Sequence, residues 1–464
     1  MKRPRLPRIK TSYAVLASAL ILVALAGLGC KGGQKVVESI PKVELSYWTV
    51  WDEPDAYAEM IGAYRNAHPN VNITVRKFAY EEYERVLLES WARDEGPDIF
   101  SIPNAAVGKY TEFITPMPKT IKLPELVVTG GCSKDIRVVE KSKATLIPEK
   151  LDQTFLPVVA DDVIVNNQIY ALPYAVDVLG LYYNKDLLTA SKILAPPQTW
   201  QQAVDMVDQT KHTLTKEENG VLVQSGIALG TADNVNRSVD IIAALMMQSG
   251  AKMTDPTGKI VTFNTASVAD PAFNPGVNAL NFYTAFANPN RVTFSWDSTQ
   301  PQAQEAFSAG KAAMFIGYSY QYGIIQQQNP LLHFGVTGLP QITVGGPQTN
   351  IANYWVSTVA KKSKHPNEAW DFLVFSTAEQ NIKSYLTKTK RLTALRSLIA
   401  QQKDDLVLGP FVDQLLVAKS WYHGIDYLVM EDDMKEMIRS VNAGTKPEEA
   451  MNLAVQKIQQ TYGR

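Results

Sequence analysis

Between Val43 and Ile102 the hydrophobic period of the sequence switches four times, and this constrains the fold more than any other feature. Val43, Leu45 and Tyr47 alternate with polar positions, a strand signal, and Pro54-Asp55 then starts a helix with Tyr57, Ile61 and Tyr64 on one face. Val71, Ile73 and Val75 alternate again, and Glu81–Arg93 presents Tyr83, Leu87 and Trp91 to one side of a second helix. Gly96-Pro97-Asp98 punctuates that helix, and Ile99–Ile102 is a third strand. Strand, helix, strand, helix, strand predicts an α/β body with a parallel sheet wound by helices. In such sheets ligands bind beyond the carboxyl ends of the strands, so the loops Thr49–Asp52 and Ser101–Asn104 are expected at a binding rim.

At 464 residues the chain is too long for one core and is expected to form two domains. With 45% hydrophobic and 20% charged residues it is globular, neither disordered nor a multi-span membrane protein. Its N-terminus stands apart. Lys2, Arg3, Arg5, Arg8 and Lys10 form a basic head, Tyr13–Leu28 is apolar, and Gly29-Cys30 follows, the order of a secretory signal. Cys30 resembles the lipid-attachment cysteine of bacterial lipoproteins, although Gly27 stands where that pattern prefers a larger aliphatic residue. Residues 1–29 then read as signal peptide and 30–42, with Gly32-Gly33 and Pro41, as lipid anchor and flexible linker; an uncleaved signal anchor is the alternative. Either tethers the body to the outer, extracytoplasmic face of a membrane. The other cysteine is Cys132, so the mature fold rests on core burial rather than disulfides. Without the basic head the chain carries more acids than bases and no basic block, which argues against a nucleic-acid partner.

Ile169–Leu188 is a pair of apolar runs interrupted by Pro173 and by one carboxylate, Asp177. A buried acid is costly unless satisfied, so Asp177 is either a structurally bonded carboxylate or a ligand hook at a domain crossing. Before it, Thr115–Asp161 is rich in proline and in β-type residues (Leu126–Leu146) and reads as an inserted hairpin or excursion. After it, Thr199 and Gln202 form a capping box for a helix through Thr210. Gly226–Asn234 reads as a strand feeding a polar loop, Ser238–Gln248 as an apolar helix, and Phe273–Asn288 and Gln302–Ala309 as further helices. Lys311–Gly317 is a strand delivering the aromatic loop Tyr318–Tyr322, and His333–Leu339 and Ala352–Ala360 are strands. Pro366 opens a helix, and Thr445 with Glu448 is expected to cap the last one.

Catalytic signatures are missing: no G-x-S-x-G, H-E-x-x-H, P-loop or G-x-G-x-x-G occurs, and no cofactor is expected. The five histidines are far apart and show no metal-ligand spacing, and Glu431-Asp432-Asp433 reads as a helix opening rather than a calcium loop. The positive signal is aromatic. Trp48, Trp51, Tyr80, Tyr318, Tyr320, Tyr354, Trp355, Trp421 and Tyr422 fall at strand ends and loops. Such rings can stack on the C–H faces of a sugar while neighbouring polar groups bind its hydroxyls.

Several segments, in order, carry a resemblance: SYWTVWDEP, the GPDIF turn, IYALPYAVDVLGLYYNKDLL followed by PPQTWQQAV, ALGTADN, AFSAGKAAMFIG and SKHPNEAWDFLVFST. Over about Val43–Thr461 the chain resembles extracellular solute-binding proteins of ABC transporters, the family that includes maltose- and glycerol-phosphate-binding proteins; Thr115–Asp161 departs most from its pattern. The resemblance implies a two-lobe periplasmic-binding-protein-like fold of type II, with lobe one at 43–174 plus 355–391 and lobe two at 178–352 plus 395–464. It implies crossings at Pro173–Leu179, near Asn350–Val356 and near Lys390–Leu395. It places ligand contacts at Trp48, Trp51, Asp52, Asn104, Asp177, Tyr318 and Tyr320, with Trp355 and Trp421 added from the same pattern. The function it implies is that of a monomeric, non-enzymatic binding lipoprotein that passes a carbohydrate to an ABC permease. The alternatives are an extracellular carbohydrate-active enzyme with paired cleft carboxylates, or a solute-binding sensor subunit.

Overall fold

The computed structural model describes residues 39–129, 135–212 and 214–463; the signal region, Cys30 and Cys132 lie outside them. Within the excursion, residues 122–143 fall outside the main compact body. The excursion's strands Thr120–Thr129 and Asp135–Ala144 pair in a two-stranded sheet, with Lys141 on Glu125 at 2.9 Å and Lys122 on Glu140 at 3.6 Å.

The remaining body, from Val43 to Ile121 and from Ala144 onward, is built on two five-stranded sheets. The first takes the expected strands Val43–Thr49, Val71–Lys77 and Ile99–Pro103, with the first parallel to both others. It is not all parallel. Trp355–Val359 returns antiparallel beside Ile99–Pro103, and Leu172–Pro173 closes the edge. The alternating period explains the burial: Val43, Leu45 and Tyr47 are buried in the strand while Glu44 is exposed. Helices Ala58–Ala67, Tyr80–Ala92 and Pro366–Ser376 add Met60 and Tyr64, then Leu87 and Trp91, then Trp370 and Phe372 to the core.

The second sheet is centred on Asp177–Asn184, which pairs antiparallel with Met314–Tyr318, Phe334–Gly338 and Asn350–Asn353. Seven of its eight residues are buried, which accounts for a nearly continuous apolar run. Helices Ser238–Gln248, Pro275–Ala285, Tyr427–Asn442 and Pro447–Gln459 belong to this half. The chain passes between the sheets in very few residues. Pro173 pairs with Val356 in the first sheet, whereas Asp177 pairs with Asn353 in the second. On the return only Tyr354 separates Asn353 from Trp355. A third passage follows helix Glu379–Thr389, where Ala175 bridges Thr393 and Leu156 donates to the Ala394 carbonyl at 2.9 Å.

Four local expectations need correction. Gly226–Asn234 makes one isolated bridge, Ala228 to Phe315, and the pairing does not extend through Ile227, whose N–H and C=O are both satisfied by the Ser295 hydroxyl. Ala352–Ala360 is two strands, one in each sheet, split at Tyr354. The last helix starts at Pro447 after Lys446, without a Thr445 cap. Glu431 lies one turn inside helix Tyr427–Asn442, which Asp426 opens by accepting from Val429 N–H. The Thr199–Gln202 capping box forms on both sides as expected.

Candidate functional site

A cavity of about 430 Å³ lies where the two sheets meet. The first sheet supplies it from the carboxyl ends of its parallel strands, through Thr49, Trp51, Asp52, Ser101 and Asn104. The second supplies Asp177, Tyr318, Tyr320 and Asn353. Helices contribute Tyr80, Tyr385, Tyr427 and Glu431, and Arg237 and Arg391 flank them.

Aromatic faces form one wall. Trp51, 49% exposed, stacks on Tyr80 at 5.5 Å between ring centres, and Trp355 meets Trp51 edge-on at 6.0 Å. From the other sheet Tyr320, 46% exposed, lies parallel to Tyr318 at 6.3 Å. The Tyr318 hydroxyl is anchored on Asp240 Oδ2 at 2.6 Å, so the inner ring of that pair is fixed while the outer one is open.

Polar groups occupy the rest. Asp52 accepts from the Tyr385 hydroxyl at 2.8 Å and from Arg391 Nη2 at 2.9 Å. Arg237 sits in the left-handed backbone region at φ 58° as N-cap of helix Ser238–Gln248, and reaches Asp240 at 2.7 Å and Glu431 at 3.0 Å. Although burial opposes its charge, its acids hold the guanidinium well above its ordinary pKa, and Asp52 does the same for Arg391.

Asp177 is a bonded structural carboxylate that also lines the cavity. Oδ1 accepts from Val178 N–H at 2.9 Å and Ser319 N–H at 3.1 Å, and Oδ2 from the Ser319 hydroxyl at 2.9 Å. The carboxylate therefore clamps the turn that presents Tyr320, while the cavity still touches it. Burial pushes its pKa up and the Ser319 hydrogen bonds hold it down.

Asn104 is committed as well: its Oδ1 accepts from Tyr354 N–H at 3.3 Å, and its Nδ2 donates to Asp162 Oδ2 at 3.0 Å. Asp162, fully inside the protein, also accepts from the Tyr354 hydroxyl at 2.5 Å and from Ser420, with His423 at 3.9 Å.

Trp51, Asp52, Asn104, Asp177, Tyr318, Tyr320 and Trp355 thus line one cavity, and Trp48 and Trp421 do not. Trp48 alternates with Tyr47 and Thr49 along its strand, so it points to the opposite face, 8% exposed and packed on Phe78 at 4.6 Å. Trp421 is buried edge-on against Phe263 at 6.0 Å. Sequence reasoning passed over Arg237, Arg391, Tyr385, Tyr427 and Glu431 as site residues. A signal existed for Arg237, since a cation at a helix N-terminus opposes the dipole and calls for compensating acids. Among the described residues no group of three or more His, Cys, Asp or Glu could hold a metal ion, and no helix is long and apolar enough to cross a membrane.

Solved structures share this architecture. The cyclic alpha-maltosyl-1,6-maltose binding protein of Arthrobacter globiformis superposes with TM-score 0.72 at 18% identity, covering 91% of this chain and 99% of that one. A sugar-binding protein of the phytopathogen Xanthomonas citri gives TM-score 0.69 at 16% identity, over 90% and 97%. The fold is therefore the two-lobe α/β fold of type II. By sequence, the galactooligosaccharide-binding protein of Bacillus subtilis is 23% identical over 400 residues, 84% of this chain and 81% of that one. A probable ABC transporter-binding protein of Deinococcus radiodurans is 25% identical over 271 residues, 58% of this chain, and the match spans only 61% of that relative's length. The model of the bacterial extracellular solute-binding proteins matches residues 59–406, well over half of the sequence, and the chain belongs to that family.

Proposed function

We propose that this protein captures a carbohydrate in the cavity between its two sheets and delivers it to an ABC permease. The observation that carries the reading is the pairing of open aromatic faces, Trp51 and Tyr320, with convergent polar groups at Asp52, Asp177 and Asn353 in one cavity. Rings of this kind match the apolar faces of a sugar, and the polar groups match its hydroxyls. Names of relatives support the class: the Bacillus subtilis protein is a galactooligosaccharide-binding protein, and one of Streptococcus mutans a multiple sugar-binding protein. In this reading lobe one is 43–174 plus 355–391 and lobe two is 178–352 plus 395–464, and both grip the sugar. A ligand that contacts both lobes favours the closed form over the open one, and the closed form is what the permease would meet. The body acts as a monomer, held at the outer face of the membrane through an acylated Cys30.

Hydrolysis of the bound sugar is disfavoured by the state of the acids. Asp52 is tied to Arg391, Glu431 to Arg237, and Asp177 to Ser319, so none of the three acids among the described residues lining the cavity is free to pair across a scissile bond. A thermal-shift screen of neutral di- and trisaccharides tests the reading. At least one should raise the melting temperature, and Trp51→Ala and Tyr320→Ala should each cut its affinity about tenfold, in line with one lost stacking contact. Stabilisation by amino acids or polyamines with no response to any saccharide would overturn it.

A further inference from the structure

The geometry points to a charge filter: we infer that the cavity admits uncharged saccharides and rejects those bearing carboxylates, with Glu431 as the residue that sets this specificity. The inference rests on the carbohydrate reading above and adds the charge class of the sugar. Five charged side chains line the cavity, the acids Asp52, Asp177 and Glu431 and the bases Arg237 and Arg391. Both bases are already met. Arg391 faces Asp52 at 2.9 Å, and Arg237 faces two acids, Glu431 at 3.0 Å and Asp240 at 2.7 Å. Asp177 is held by N–H and O–H donors from Val178 and Ser319 and makes no ion pair among the described residues, although the charge of Arg391 also acts on it at longer range.

An incoming sugar carboxylate would lose its water without gaining a cation, and would face an excess of negative charge across a short, partly dry gap. A hydroxyl meets no such barrier and can donate to the carboxylate oxygens. Discrimination of this kind comes from an element that repels the wrong ligand as much as from one that holds the right one. Glu431 is the lever because it is the second acid on Arg237. Without its charge, Arg237 retains Asp240 alone and presents one guanidinium edge to the cavity.

The test uses matched pairs: galactobiose against digalacturonate, and maltotriose against its C6-oxidised triuronate, titrated calorimetrically into the full mature body. Whichever neutral member binds should do so at least 100-fold more tightly than its acidic partner. Glu431→Gln should narrow that ratio at least tenfold, and Asp52→Asn, which frees Arg391, should narrow it as well. Acidic and neutral members binding within tenfold of each other in the native protein would overturn the filter while leaving the carbohydrate reading intact. An unchanged ratio in folded Glu431→Gln would remove Glu431 from the role. Failure of every saccharide, neutral and acidic, would overturn the carbohydrate reading and the filter with it.

Discussion

At the scale of single residues, the contrast between Trp48 and Trp51 separates core from site. Three positions along one chain segment turn a ring from 8% to 49% exposed. Trp48→Ala should destabilise the protein by about 3–5 kcal/mol in urea unfolding, as large buried truncations do. Trp51→Ala should leave the unfolding midpoint nearly unchanged and weaken saccharide binding. Asp177 makes a prediction with a definite sign. Its folded pKa is raised above the ordinary 3.8. Between those values the native chain keeps a proton that the unfolded chain has released, so its contribution to stability falls as pH rises. The melting temperature of the native protein minus that of Asp177→Asn should therefore fall as pH is raised from about 4 through that window. An isolated acid in an apolar run was visible in the sequence, and so was the need for a partner. The partner was not, because Ser319 lies 142 positions away and only the pairing of Met314–Tyr318 with Asp177–Asn184 brings it near.

At the scale of elements, what could be read were the features whose causes are local. The alternating strands of the first sheet, the Thr199–Gln202 capping box and the proline-opened helix at Pro366 depend on neighbours a few residues apart. Gly226–Asn234 looked like a strand by the same local logic and is not one; Ser295, 68 positions away, takes over the backbone hydrogen bonds of Ile227. The antiparallel return of Trp355–Val359 was equally out of reach, since it depends on the chain re-entering the first sheet from the second. Two substitutions probe the elements that carry the site. In the central strand a Cβ on Gly180 would stand 2.5 Å from a ring carbon of Phe411. Gly180→Ala should cost about 1–3 kcal/mol through overpacking, seen as a lower urea midpoint. Helix Tyr427–Asn442 carries Tyr427 and Glu431 to the cavity and is capped by Asp426. Asp426→Ala should cost about 1 kcal/mol, and should weaken saccharide binding slightly if the first turn frays.

At the scale of the whole body, two halves with separate sheets are joined by three short passages, and a buried hub spans them. Asp162 accepts from Asn104 in the cavity wall, from Tyr354 in a passage, and from Ser420 just beyond the second sheet's edge strand. Ser420→Ala removes one of these ties without disturbing the cavity. It should shift unliganded protein towards more open forms, read as a larger radius of gyration by solution X-ray scattering and a several-fold weaker saccharide affinity. The second passage has a separate consequence. Tyr354 alone stands between a residue paired in one sheet and Trp355 paired in the other, so a swing of the halves would turn few backbone torsions in this passage, beside that indole. Trp355 also touches Trp51, Tyr80 and Tyr83 and lines the cavity, so under the proposed function a bound sugar would alter its surroundings. On that reading the protein carries its own optical reporter: its tryptophan emission should shift on saccharide addition, and Trp355→Phe should reduce that signal, the remainder coming from Trp51.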